Sequence, residues 1–197
     1  VFLIWKSFII SYPILAVAPD NWRWVTHNDG ISGAKMCGLA VDPTNTDTVY
    51  VLTDAAGVYK TTDGGANWSA VNTGLPGSKN VAWSHLSGNL LTMDPNNHLV
   101  LYINIGGRIY KTTDGGGNWQ LSDNGITYSC GIYGTAGVIV DPTNSSHLYA
   151  ASIQSGCSGG VFESTDGGAN WTQVAGVDPY GNTLGGMPYN DGWPLNM

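Results

Sequence analysis

Short runs of alternating apolar and polar residues, broken by turn residues, recur along this chain of 197 residues. One unit reads "MCGLAV", an Asp-Pro-Thr-Asn turn, "TVYVLT", "DAAG", "VYKTT", a Gly-Gly pair and "NWSAVN". Alternation with a period of two, bounded by Gly, Pro, Asn and Asp, is typical of β-strands joined by hairpins. No stretch keeps an apolar period of 3.6 residues, so the pattern predicts four short strands per unit and excludes a helical repeat.

The unit repeats three times, and two landmarks keep the same register. The first landmark is "VYKTTDGGANW" (58–68), "IYKTTDGGGNW" (109–119) and "VFESTDGGANW" (161–171). The second is "LAVDPTN" (39–45), "LTMDPNN" (91–97) and "VIVDPTN" (138–144). Four-stranded units of about fifty residues that pack face to face around an axis are typical of a β-propeller. The predicted fold is therefore an all-β propeller with four-stranded antiparallel blades, of which about three are present in an incomplete ring.

The repeat also sets the expected boundaries. We expect an outer strand at 21–29, blades at 33–75, 80–126 and 130–176, and the start of a further blade at 177–197. The stretch "NWRWVTHNDGI" (21–31) matches "NWQLSDNGI" (118–126), which places an outer strand before the first full blade. A closed ring needs at least four blades. Either the chain is a fragment of a longer protein, or copies close the ring by pairing their edges.

The first landmark has a physical explanation. In S/T-x-D-x-G-x-x-W the carboxylate accepts backbone N–H bonds within a hairpin turn, the Gly pair supplies positive φ and the Trp buries a large face. The stretches 61–68, 112–119 and 164–171 resemble the Asp-box, or bacterial neuraminidase repeat, found in sialidases, xyloglucan-cleaving hydrolases, sortilin-type receptors and a photosystem assembly factor. The resemblance implies a structural role for the acid and the aromatic residue of each copy: Asp63, Trp68, Asp114, Trp119, Asp166 and Trp171.

Charge and the N-terminal stretch indicate the compartment. The formal net charge is −7, and all seven Lys and Arg residues lie at or before Lys111, which argues against nucleic acid or anionic lipid as a partner. Residues 1–18 are apolar apart from Lys6 and end in Ala-Val-Ala. They predict a cleaved signal peptide and a secreted, extracellular or periplasmic protein without a membrane anchor in the mature form. A retained anchor or a hydrophobic terminal strand is the alternative.

One acidic residue is not required by the repeat. The stretch "YVLTDAAGVYK" (50–60) resembles the segment of the xyloglucanase family of glycoside hydrolases that carries a catalytic acid. Asp54, Gly57 and Tyr59 match that segment, whereas Ala55 and Ala56 depart from it. The resemblance implies that Asp54 is one of two carboxylates flanking a glycosidic bond, the second lying in a later half that this sequence does not contain. The alternative is a turn residue that accepts hydrogen bonds in a hairpin.

Trp83 and His85 fall in a predicted loop between blades, at the same end as Asp54. A Trp ring offers an apolar plate to the C–H face of a sugar and His can donate a hydrogen bond, so both are candidate substrate-binding residues. Trp83 in the core between blades is the alternative. A sialidase is disfavoured, because Arg23 and Arg108 alone cannot form the arginine cluster that holds a sialic carboxylate.

The remaining chemistry is sparse. The topology brings Cys130 and Cys157 to one end of the third blade, where a disulfide is one prediction and two buried thiols are the other; Cys37 is expected to stay unpaired. The histidines have no metal-ligand spacing, so no metal site is expected. No cofactor is implied either, although the acidic C-terminal part could hold a structural calcium ion.

Two classes of function stay open. As an enzyme the protein would be a secreted endo-acting glycoside hydrolase on a β-glucan such as xyloglucan, with a polysaccharide as its partner. As a binding module it would be a propeller scaffold, receptor or assembly module that holds a protein or a glycan without turnover. Self-association is expected if the chain is complete.

Overall fold

The computed structural model describes residues 29–31, 35–77, 90–126, 135–152, 160–177 and 183–184. These residues form thirteen β-strands and contain no helix. Every paired neighbour is antiparallel. The alternating pattern therefore predicted the type of element correctly.

Three sheets follow one another along the chain. The first has the order β1 (Met36–Val41), β2 (Val49–Thr53), β3 (Gly57–Thr61) and β4 (Ser69–Ala70). The second has the order β5 (Leu91–Asp94), β6 (Asn97–Ile105), β7 (Arg108–Thr112) and β8 (Trp119–Leu121). The third has β9 (Thr135–Asp141), β10 (Asn144–Ser152), β11 (Gly160–Ser164) and β12 (Thr172–Val177), with a short fifth strand, β13 (Thr183–Leu184), beyond β12.

The sheets bury their apolar side chains against one another in two clusters. Between the first and second sheets, Leu52 and Val58 pack with Leu101 and Trp119. Between the second and third sheets, Tyr102 packs with residues of the third sheet that include Leu148, Phe162 and Trp171. A middle sheet covered on both faces needs apolar residues at consecutive positions, and β6 is buried without interruption from Val100 to Ile105. Face-to-face packing of successive four-stranded sheets is a partial β-propeller, as predicted.

Some expected segments lie outside the described residues. These are the leader at 1–18, all but Asp29 of the outer strand at 21–29, and most of the further blade at 177–197. Of that last segment, Thr183–Leu184 pairs with the outer strand β12. In the described part of the chain, no helix has the length and apolarity needed to span a membrane.

Candidate functional site

The three Ser/Thr-x-Asp-Gly-Gly stretches form one turn in triplicate; we refer to 61–68, 112–119 and 164–171 as the first, second and third DGG turns. In the first, Asp63 Oδ1 accepts hydrogen bonds from Thr61 Oγ1 at 2.6 Å and from the Asn67 N–H at 2.9 Å. Thr61 Oγ1 in turn accepts the Gly65 N–H at 3.0 Å. The second and third turns repeat these bonds with Asp114 and Asp166.

Hydrogen bonds to the charged form lower the pKa values of these carboxyl groups. The Thr61 hydroxyl and then the Asn67 amide lower the pKa of Asp63 from 3.8 to about 2. The pKa of Asp166 is also lowered to about 2, first by the Asn170 amide. The Thr112 hydroxyl is the main cause of the lowered pKa of Asp114. All three are therefore anionic acceptors at neutral pH, which suits a turn and does not suit a general acid.

The tryptophans of the turns connect neighbouring sheets. Trp119 is buried and its Nε1–H donates to the Val71 carbonyl of the first sheet's outer segment at 2.8 Å. Trp171 is buried in the same way and donates to the Ser122 carbonyl at 2.8 Å. Trp68, in the first turn, is half-buried. The second and third turns thus each fasten their own sheet to the preceding one through an aromatic anchor with one polar contact.

A second contact between sheets was not found by sequence reasoning. The Trp119 N–H donates to the Thr73 carbonyl at 2.9 Å, and the next residue, Gly74, has φ of +86°. A Cβ atom at Gly74 would lie 2.1 Å from the Trp119 carbonyl oxygen, so only glycine fits. Gly30 and Gly125 meet the carbonyls of Trp68 and Trp171 in the same way. The available signal was the x-Gly-Ile/Leu repeat in "NDGI", "NTGL" and "DNGI".

A third contact, also missed, uses a tyrosine and a lysine on adjacent strands. Tyr50 Oη and Lys60 Nζ both donate to the Gly115 carbonyl of the second DGG turn, at 3.1 and 3.2 Å. One sheet later, Tyr102 Oη and Lys111 Nζ both donate to the Gly167 carbonyl, at 3.0 and 2.8 Å. Burial raises the pKa of the Tyr102 hydroxyl and lowers that of the Lys111 ammonium. In the second and third turns, the first glycine carbonyl is thereby a shared acceptor for two donors of the preceding sheet.

Asp54 lies in the turn between β2 and β3, at the opposite end of the sheet from the first DGG turn. Its Oδ1 accepts the Lys35 N–H at 3.0 Å, and its own N–H donates to the Lys35 carbonyl at 2.9 Å. Asp54 as a whole residue is half-buried. Thr53 Oγ1 closes the turn by accepting the Ala56 N–H at 3.1 Å. The acid is thus held in one position by the Lys35 backbone, in a residue that is only partly buried.

The predictions for four further residues stay untested, because these residues lie outside the described residues: Trp83, His85, Cys130 and Cys157. The Sγ atom of Cys37 lies 3.8 Å from the Lys35 carbonyl oxygen. Where the structure describes side chains, no group of three His, Cys, Asp or Glu residues is arranged to hold a metal ion. In the second sheet the turn that corresponds to 54–56 is Gly106-Gly107, followed by Arg108, which pairs with the buried Asp123.

Comparison with known proteins gives a consistent set of relatives. No family model matches the chain. The xyloglucanase of Hypocrea jecorina is 25% identical over 182 residues, which is 86% of this chain and 21% of the relative. The xyloglucanase of a Paenibacillus species is 28% identical over 185 residues, 85% of this chain and 17% of the relative. The chain therefore spans about a fifth of the length of these curated relatives.

Solved structures support the fold. The GH74 enzyme of Niastella koreensis is 26% identical, with a TM-score of 0.53 over 71% of this chain and 22% of that enzyme. An ancestral GH74 enzyme is 23% identical, with a TM-score of 0.56 over 74% of this chain and 18% of that enzyme. The three sheets thus resemble a part of the propeller of GH74 enzymes.

Proposed function

We propose that this chain is part of a secreted endo-acting glycoside hydrolase that cleaves xyloglucan or a closely related β-glucan. The observation that carries the proposal is the similarity to two xyloglucanases over 86% and 85% of the chain. In this proposal, the end of the sheets that carries the β2–β3 turn is the surface for the polysaccharide. The blades at 33–75, 80–126 and 130–176 form the corresponding part of the ring.

Asp54 is our candidate for one of the two catalytic carboxylates. The repeat does not require it, because the matching turn of the second sheet is Gly106-Gly107. The Lys35 N–H fixes one carboxylate oxygen, while the described residues give Oδ2 no hydrogen-bond partner. A half-buried acid that is held in a fixed position can act on a glycosidic oxygen or on a water molecule. The second carboxylate would come from a part of the protein outside these 197 residues, and Trp83 and His85 would contact the sugar.

A non-catalytic propeller module is the second candidate. It is favoured by the Lys35 N–H bond to Asp54, which is the contact expected of an ordinary turn residue. In that case the same surface holds a glycan or a protein without cleaving it.

Replacing Asp54 separates the two candidates. In the full-length protein, Asp54→Asn keeps an oxygen that accepts the Lys35 N–H but removes the charge. The hydrolase predicts a loss of about 10²–10⁴-fold in the rate of xyloglucan cleavage, with binding of xyloglucan oligosaccharides retained. The matched control is Asp47→Asn, an exposed acid at the other end of the same sheet, which should leave the rate unchanged. An active wild-type protein whose rate is unaffected by Asp54→Asn would exclude Asp54, and a wild-type protein that binds without cleaving would favour the module.

A further inference from the structure

Two side chains hold the turn that carries Asp54. The first is that of Thr53, which is buried at the end of β2. Its Oγ1 donates to the Gly57 carbonyl at 2.9 Å and accepts the Ala56 N–H at 3.1 Å. Gly57 has a φ of +81°, so the chain leaves the turn through a backbone conformation that favours glycine. Thr53 thus closes the turn from the β2 side.

The second side chain is that of Asn72, which follows β4 by two residues. Its Oδ1 accepts the Val58 N–H at 2.8 Å, and its Nδ2 donates to the Ala56 carbonyl at 3.0 Å. An amide side chain can make both bonds at once, because it has a donor and an acceptor in one plane. Asn72 therefore fixes the two peptide groups that flank Gly57.

The other two sheets lack this arrangement. The residue four positions after the tryptophan of each DGG turn is Asn72 in the first sheet, Asp123 in the second and Ala175 in the third. Asp123 binds the Arg108 guanidinium with both carboxylate oxygens, and an ionised carboxylate has no donor for a carbonyl. Alanine has no polar side chain. Among the described sheets, this amide contact therefore occurs only where the turn carries Asp54.

The contacts of Asn72 reach Asp54 through a very short piece of chain. Only Ala55 separates Asp54 from Ala56, whose carbonyl accepts the Asn72 amide. On its other side, Asp54 exchanges two hydrogen bonds with the Lys35 backbone. A rotation of the peptide groups around Gly57 would have to be absorbed within the same turn that contains Asp54. A displacement of about 1 Å at a reacting group can cost about 10²-fold in rate.

We propose that Asn72 is a positioning residue for Asp54: its amide holds the 54–57 turn in a fixed conformation and thereby sets the direction of the carboxylate. This role rests on the proposed hydrolase activity, in which Asp54 is one of the two catalytic carboxylates. Because Asn72 bonds the turn backbone, its loss lowers the rate of the chemical step and leaves substrate binding largely intact.

Steady-state kinetics of the full-length protein on xyloglucan test this role. Asn72→Ala should lower kcat by about 10- to 100-fold and leave KM within about twofold. Asn72→Asp keeps an acceptor for the Val58 N–H but loses the donor to the Ala56 carbonyl, so its kcat should be intermediate. Ser122→Ala is the matched control, because it removes a 2.7 Å side-chain bond to the Gly168 carbonyl in another part of the fold. That control should lower the melting temperature without changing kcat.

A second comparison separates positioning from general stabilisation. In the Asp54→Asn background, Asn72→Ala should lower the remaining rate by less than about threefold, because the group that Asn72 positions is already gone. Equal losses in both backgrounds would overturn the inference, and so would a kcat that Asn72→Ala leaves unchanged. If Asn72→Ala does not fold, Asn72→Asp, which has nearly the same volume, takes its place in both comparisons.

Crystal structures of the wild type and the Asn72 variants give a readout that does not depend on activity. We expect the Asp54 carboxylate to be displaced by about 1 Å in the variants. A carboxylate that stays in place would count against the inference even if the rate fell. A wild-type protein that does not cleave xyloglucan would instead contradict the proposed function, and the structures would still decide whether Asn72 sets the position of Asp54.

Discussion

The hydroxyl of Tyr102 in the second sheet donates a 3.0 Å hydrogen bond to the carbonyl of Gly167 in the third. Tyr50 makes the equivalent bond to Gly115 one sheet earlier, at 3.1 Å. Both bonds are buried and join residues 65 positions apart in the chain. They fix how far each sheet is displaced along its neighbour, and they show that the DGG turn serves both its own hairpin and the sheet that precedes it.

Removing the two donors to one carbonyl should be non-additive. Tyr102→Phe loses one bond and should cost about 1 kcal/mol of unfolding free energy, while Lys111→Met leaves the tyrosine bond intact. The double variant should cost more than the sum, because the buried Gly167 carbonyl then loses both donors. Urea denaturation of the wild type, the two single variants and the double variant measures the coupling. If the two losses of unfolding free energy simply add, Tyr102 and Lys111 do not share the Gly167 carbonyl as their acceptor. Tyr149→Phe, at an exposed tyrosine, is the control and should cost less.

The glycines that approach the tryptophan carbonyls should tolerate no side chain. Gly74→Ala and Gly125→Ala place a Cβ about 2.1 Å from a carbonyl oxygen at positive φ, so each should destabilise the fold by at least about 1–3 kcal/mol. Gly77→Ala is the matched control, because nothing lies within 4 Å of its Cβ position and its φ is not positive. Thermal unfolding of the three variants tests this. Equal melting temperatures would mean that the close approach has no energetic role.

Acid should weaken the DGG turns in a defined pH range. The folded-state pKa values of Asp63 and Asp166 are lowered from 3.8 to about 2, so their contribution is fully present above pH 3.8 and is lost as the pH falls toward 2. Stability measured by urea denaturation should therefore decline over that range. In Asp63→Asn the decline should be smaller, because the side chain no longer titrates. A wild-type protein whose stability is constant from pH 4 to pH 2 would be inconsistent with these bonds.

Alkaline pH should weaken the third sheet. His147 has a raised pKa, chiefly because it pairs with Glu163, and Asp141 and Tyr149 are the other titratable groups beside it. A raised folded-state pKa means that the stabilisation is present below pH 6.5 and is lost as the pH rises through the shifted value. Melting temperatures recorded from pH 6 to pH 9 should fall in the wild type. His147→Gln should lack this step, and an identical profile for both proteins would exclude the ion pair as its source.

Local patterning was sufficient for the strands but not for the contacts between sheets. The residues "MCGLAV" and "TVYVLT" alternate, and they became β1 and β2 with bounds close to those predicted. The close approach of Gly74 was not predicted, because its partner, the Trp119 carbonyl, is 45 residues away along the chain. Tyr102 and Lys111 were missed for the same reason, since their shared acceptor lies in the next sheet.

The sequence by itself determined the repeat, the strands, the DGG turns and the all-β propeller fold, because each depends on residues that are neighbours along the chain or one hairpin apart. Only the tertiary structure decided which groups meet across the sheets. In that structure Asp54 accepts a hydrogen bond from the Lys35 backbone, and Tyr50 and Lys60 donate to one glycine carbonyl. Glu163 pairs with His147 of the neighbouring strand. These contacts depend on how whole sheets are displaced and rotated, and that geometry follows from the packing of the buried faces rather than from any local pattern.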